Sequence, residues 1–201
     1  MQYISNASPF RIIFSVVALV FMIVTSGCND QKEHPKSYAV YAEFARGSNK
    51  VMKDGLNRRV FDTAESQSGS DITLQKDGSI TLEPGTYHIT GFSMVTTQVT
   101  MAPPKPNDSN NYPGYCMVYP KQFEVDSIVL KHQFCIGSPA TALSTVPSLF
   151  DVMYTIKEKT DICVGHQVGS GLNGNVYLSV YDVGGVPSNY HVFARIVITK
   201  L

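Results

Sequence analysis

Asp71 to Met94 reads DITLQKDGSITLEPGTYHITGFSM. Ile72 and Leu74 alternate with polar neighbours, Asp77-Gly78 supplies a turn, and Ile80 and Leu82 alternate again. Pro84-Gly85 turns the chain into a third run, in which Tyr87, Ile89 and Gly91 share one face. Period-two alternation broken by Asp-Gly and Pro-Gly is the strongest short-range signal for antiparallel strands. The stretch predicts a three-stranded meander that runs on through Thr96, Thr97 and Val99.

The flanking sequence repeats the pattern. Tyr38, Val40, Ala42 and Phe44 share one face of a predicted strand, although Ala and Glu in this run would also suit the start of a helix. Ser48 to Arg59 reads as a polar loop, Arg59 to Asp62 as a short strand and Ala64 to Ser70 as a second loop. Further on, strands are predicted at Tyr115–Tyr119, Phe150–Lys157, Asp161–Val168, Val176–Tyr181 and His191–Leu201. One or two more lie in Phe123–Ile136, with a switch near Asp126-Ser127. Short strands at this spacing, with little helical pattern, predict an all-β sandwich or barrel. Met101 to Gly114 contains Pro103, Pro104, Pro106 and Pro113 and cannot be a central strand, because proline lacks the ladder donor. So long a loop is either a tolerated surface insertion or a contact loop.

The N-terminus differs from the rest. After Arg11, Ile12 to Val24 is uncharged and apolar, a run too short for the about 20 residues of a membrane-spanning helix. It has the length of a secretory h-region and is followed by Thr25-Ser26-Gly27-Cys28. The segment resembles a bacterial lipoprotein signal with its lipobox, with Thr25 where that pattern has a Leu-like residue. The resemblance implies cleavage after Gly27 and acylation of Cys28, which becomes the first residue; a plain signal peptide and an uncleaved anchor are the other readings. Each buried methylene of an acyl chain contributes about 0.8 kcal/mol, so several long chains would hold the protein to a membrane. The expected organisation is a signal over residues 1–27, a lipidated and flexible tether over 28–37, and one domain over 38–201. Asn29-Asp30 after the lipid site weakly favours inner-membrane retention, as in enteric lipoproteins. Periplasm and cell surface are both open as the compartment the domain faces.

The chain has 201 residues, 16 basic and 16 acidic. A neutral balance gives no footprint for nucleic acid, which needs a basic face. Tyr and Phe are frequent and Trp is absent, a composition suited to half-buried pleated surfaces.

Taken in order, several features resemble the C1q/TNF-like jelly rolls. These are Tyr41-Ala42-Glu43-Phe44-Ala45, then Val60-Phe61-Asp62, then Pro84-Gly85-Thr86-Tyr87, then Asp161-Ile162-Cys163-Val164, then an apolar last strand. Two departures stand out. Val192-Phe193-Ala194 replaces the family's aromatic-Gly signature, and the Pro-rich loop and the cysteines look like additions. The resemblance implies an antiparallel two-sheet sandwich of ten strands, with the closing strand beside the first. It also implies a homotrimer that binds protein or glycan through loops rather than catalysing.

Few residues suggest chemistry. Cys116, Cys135 and Cys163 can form at most one intramolecular disulfide. A Cys116–Cys135 bridge would close about 20 residues and contribute on the order of 3 kcal/mol. Cys135–Cys163 is equally compatible with the sequence, and three free thiols are a further alternative; the expectation is one bridge involving Cys135. Metal-ligand spacing is missing, and no cofactor is expected. Gly169-Ser170-Gly171-Leu172-Asn173-Gly174 matches the dinucleotide fingerprint in letters, but a strand follows it where that motif needs a helix, so it reads as a hairpin loop. His88, His132, His166 and His191 fall in strand-like runs with no nucleophile motif beside them. The expected function is a non-catalytic, lipid-anchored binding module presenting residues 103–115 and 183–190, with Tyr112, Tyr115 and Tyr190 as contact residues. The alternative is a self-associating, trimeric structural lipoprotein of the envelope, and a hydrolase on a β-scaffold is a distant third.

Overall fold

The computed structural model describes residues 36–44, 50–97, 114–125, 129–140, 146–168, 176–178 and 191–201. The chain divides into two units, residues 1–34 and 35–201. The first lies outside the described residues, and with it the expected signal, Cys28 and most of the tether.

The second unit is built from antiparallel strands. In chain order they are β1 (Tyr38–Phe44), β2 (Lys50–Val51), β3 (Gly55–Arg58), β4 (Thr63–Ser68), β5 (Ile72–Leu74), β6 (Ile80–Leu82) and β7 (Gly85–Ser93). They continue with β8 (Thr96–Thr97), β9 (Tyr115–Pro120), β10 (Cys135–Pro139), β11 (Ser148–Ile156), β12 (Thr160–Val168), β13 (Val176–Leu178) and β14 (Val192–Lys200). One sheet has the order β11-β7-β14-β1-β4. The second runs β10-β9-β12-β6-β5, with β3 also on β12, and a small third sheet joins β2, β13 and β8. The two large sheets pack face to face as a jelly-roll sandwich. The first long strand and the last are neighbours, with Val40 opposite Val197.

Alternation explains the core. Ala39, Tyr41, Tyr87, Ile89, Phe150, Ala194, Ile196 and Ile198 project from the first sheet; Ile72, Ile80, Leu82, Val118, Ile162 and Val164 meet them from the second. Each fully buried aliphatic side chain contributes about 1.5–3 kcal/mol. In β1 the buried face is Ala39, Tyr41 and Glu43, so Tyr38, Val40 and Phe44 lie on the outer face. Gly91 has a packing reason: a Cβ there would meet the Arg195 carbonyl and stand 2.6 Å from the Phe150 ring.

The quoted stretch folds as two strands in one sheet and one in the other. β5 and β6 form the expected hairpin, Thr73 opposite Thr81. Gly78 has φ +79° at its turn, where a side chain would also strike Val60 and Phe61. β7, however, pairs with β11 and β14. Pro84-Gly85 is therefore a crossover between sheets and not a hairpin turn. A sequence-local reading cannot see this, because alternation fixes which side chains share a face and not which strand lies alongside.

Two other expectations reverse. Arg59 to Asp62 is not a strand; it carries the chain from β3 in the second sheet to β4 in the first, with Arg59 and Phe61 buried on the way. The strands are the polar segments on either side, held by their neighbours: β3 on β12 and β4 on β1. Likewise Phe123 to Ile136 is largely not strand. A 3-10 turn covers Lys121–Phe123 and one helical turn Val129–His132 before β10 begins.

The β5–β6 turn is pinned by charge. Asp77 accepts from the Ser79 hydroxyl at 2.6 Å, Lys121 at 2.5 Å and Arg58 at 3.2 Å. The Lys121 hydrogen bond, with those from Ser79, holds the Asp77 carboxyl far below the usual carboxylate range. A depressed acid stabilises the fold above its unfolded-state pKa of about 3.9 and loses that contribution as pH falls. Chemical-denaturation midpoints measured from pH 6 to pH 2 should therefore fall less steeply for Asp77→Asn than for the native chain.

Candidate functional site

The first sheet has two unlike edges. β4 is Thr-Ala-Glu-Ser-Gln-Ser; its Glu65 pairs with Arg195 through two bonds of 2.6 and 2.8 Å, and its pairing with β1 is bulged between Val40 and Tyr41. Charge and bulges are what keep a free edge from joining another strand. β11, nine residues long, has no bulge, and its one charge is the exposed Asp151 beside His88. Its even residues Phe150, Val152 and Ile156 turn to the core. Its odd residues turn outward, and there Leu149 is 56% and Met153 69% exposed. On the facing edge of the second sheet, Ile136 of β10 is 53% exposed. Phe134 stacks on Tyr154 at 3.8 Å between the two edges. Ser138 joins the edges at one end, where its Oγ accepts from the Leu149 N–H at 2.9 Å. Leu149 and Met153 thus project from the outer face of the first sheet with exposed Asp151 between them, and Ile136, opposite Met117, projects from the outer face of the second.

These residues are legible in the sequence after the fact. Residues 148–156 read SLFDVMYTI, with apolar groups at both parities, whereas a strand with one wet face alternates cleanly.

A buried polar layer lies at one end of the core. The Arg59 guanidinium is 0% exposed. It sits 3.5 Å from the Glu43 carboxylate and donates through Nε to Ser93 Oγ at 2.9 Å. It also donates to the Met94 carbonyl. Ser93 Oγ lies 2.8 Å from His166 Nδ1. The chain thus links β1 and β7 of one sheet to β12 of the other. Burial pulls the Arg59 pKa down, and the Glu43 charge opposes that. Serine, histidine and carboxylate occur together here, but they sit inside the protein without a surface for substrate, and the cation lies between the acid and the serine. The arrangement ties the sheets together.

The cysteines are three free thiols in separate settings. Cys116 faces the main core, where its Sγ accepts from Ser148 Oγ at 3.0 Å. Cys135 packs at the rim of the same core. Cys163 lies on the opposite face of the second sheet, with Met117 and Tyr119. β9 separates β10 from β12, so Cys135 and Cys163 are two strands apart on opposite faces and cannot bridge. Cys116 and Cys135 are diagonal on paired strands, Cys135 standing opposite Val118. Burial pushes Cys116 up to about 11 and Cys163 up to about 12, and raises Cys135. All three are poor nucleophiles at neutral pH.

The other expected sites are dispersed. Tyr115 is the first residue of β9, half-buried and packed against the Met117 and Tyr119 cluster rather than held on a free loop, because β9 pairs with β12 through Gln167. Tyr112, Tyr190, the Pro-rich loop and the Gly-rich loop at 169–174 lie outside the described residues. His88 is exposed beside Asp151 at 2.8 Å, His132 stacks on Phe123, and His191 is buried. A groove of about 590 Å³ is lined by Lys121, Gln122, Glu158, Lys159, Thr160 and Asp161. Its cations are already engaged, Lys121 by Asp77 and Lys159 by Glu83. Among the described residues no group of three His, Cys, Asp or Glu is placed to hold a metal ion.

No protein-family model and no curated protein matches this sequence.

Removing one member of a buried ion pair strands the other, at a cost of about 3–5 kcal/mol, whereas replacing both with apolar residues can be neutral. Arg59→Met should therefore lower unfolding free energy by about that amount. The double variant Arg59→Met, Glu43→Met should recover most of it, read from urea titrations.

Proposed function

We propose that this chain is a lipid-anchored protein of the bacterial envelope whose jelly roll works by touching a protein partner and not by catalysis. The observation that carries this reading is the exposure of Leu149 and Met153 on the outer face of β11, in a sheet whose other edge strand, β4, is polar. A rigid sandwich suits the role, since its shape does not change when its surface residues do. Thr25-Ser26-Gly27-Cys28, after an apolar run, supports tethering to a membrane. The strand order, with last beside first, supports the resemblance to C1q/TNF-like domains, and hence loops as further contact points.

The second reading is self-association, as in the trimers of those domains. It is favoured by the contrast between the edges: the pairing of β4 is bulged and that of β11 is regular, with exposed Leu149 and Met153 on its outer face.

A photo-crosslinking amino acid at Met153 should trap a protein adduct in producing cells, and the same group at Ser66 on β4 should not. Adducts of twice or three times the protomer mass favour self-association, and other masses favour a separate partner. No adduct at Met153, or equal adducts at both positions, overturns the reading. Palmitate incorporation that is lost with Cys28→Ser checks the anchor in the same cells.

A further inference from the structure

We propose that the groove at the start of β12 is a binding site for a neutral saccharide, a ring carrying adjacent hydroxyls and no charge. The inference goes beyond the contact reading above and does not rest on it.

The backbone sets the place. β9 and β12 run as a ladder as far as Pro120 opposite Ile162. There β9 ends, and the chain turns off into the 3-10 turn Lys121–Phe123. The first residues of β12, Thr160 and Asp161, lie beyond the end of that ladder and pair on their other side with Leu82 and Thr81 of β6. The groove lies where the turn and the start of β12 part. It measures about 590 Å³ and is lined by Lys121, Gln122, Glu158, Lys159, Thr160 and Asp161. Clefts for small ligands run from roughly 300 to 1,000 Å³.

The walls are positioned by groups that do not line the groove. Asp161 accepts from the buried Thr81 hydroxyl at 2.5 Å, and that hydroxyl accepts from Gln75 at 2.7 Å. Lys121 donates to Asp77 at 2.5 Å and Lys159 to Glu83 at 2.7 Å. Each bond uses one site and leaves others: a second oxygen on Asp161, and two N–H groups on each ammonium. Among the described residues nothing bonds the Glu158 carboxylate or the Gln122 amide. Side chains already held in place lose less freedom when a ligand arrives.

Charge selects the ligand. An anion in the groove meets Glu158 and Asp161, with Asp77 and Glu83 behind the lysines. A cation meets Lys121 and Lys159. A neutral hydroxyl meets neither penalty, because it donates to a carboxylate and accepts from an ammonium. Donors and acceptors are interspersed in the lining, so several hydroxyls of one ring are served together. No lining side chain is apolar, so a peptide finds no pocket there for its side chains.

The test is saturation-transfer NMR on the full chain in a sugar-free detergent. The probes are methyl glucoside, methyl galactoside, methyl mannoside and N-acetylglucosamine, with glucose 6-phosphate and glucosamine as charged counterparts. Saturation should reach at least one neutral sugar, and the charged ones more weakly. Asp161→Asn keeps an acceptor for Thr81 and removes the charge. Combined with Glu158→Gln, it should weaken that sugar about tenfold or more. Glu158→Gln alone, at an exposed position, should weaken it as well, so the result does not depend on the Asp161 variant folding. Lys131→Ala, exposed and outside the groove, should bind as the native chain does. Binding of no neutral sugar overturns the site. Equal binding of glucose 6-phosphate, or binding that the double variant retains, overturns it too. Each of these results leaves the crosslink at Met153, and with it the contact function, standing.

Discussion

The fold depends on where β14 lies. Pairing with β1 on one side and β7 on the other, the final strand forms the middle of a five-stranded sheet, and its Ile196 and Ile198 are fully buried. Neither β1 nor β7 can complete its ladder until the end of the chain arrives. The ends of the domain are tied as well: the Lys200 N–H donates to the Ser37 carbonyl, and Leu201 donates to Thr86. Such long-range closure makes a body that is slow to assemble and stiff once assembled. A stiff body suits a protein that presents a fixed surface.

Within that frame the polar layer and the apolar core do different work. The apolar core supplies most of the burial. Glu43, Arg59, Ser93 and His166 contribute little net free energy, since desolvation offsets their attraction, but they penalise any sheet alignment that separates them. Arg59 lies on the crossover between β3 and β4, so the same residue that ties the sheets also fixes where the chain passes between them.

The surface divides just as clearly. Among the described residues the thiols are buried or half-buried, His88 lies beside Asp151, His132 stacks on Phe123, and the cations of the polar groove are ion-paired. Among the described residues, the exposed apolar side chains of Leu149 and Met153 on β11 are what this accounting leaves over.

The sequence by itself determined the all-β class, the extent of most long strands and the β5–β6 hairpin, because alternation and Asp-Gly turns act over a few residues. It could not say that Pro84-Gly85 crosses between sheets, or that polar Thr63–Ser68 is a strand while Val60-Phe61 is not. It likewise left open whether Cys135 could reach Cys163. Each of those depends on which distant segment supplies the neighbouring backbone. The exposed apolar residues of β11 sit between the two cases. Leu149 and Met153 are plainly apolar in the sequence, but only the sheet order shows that β11 is the last strand of its sheet among the described residues. Side-chain pattern is a local property, and an edge exists only once every other strand has been placed.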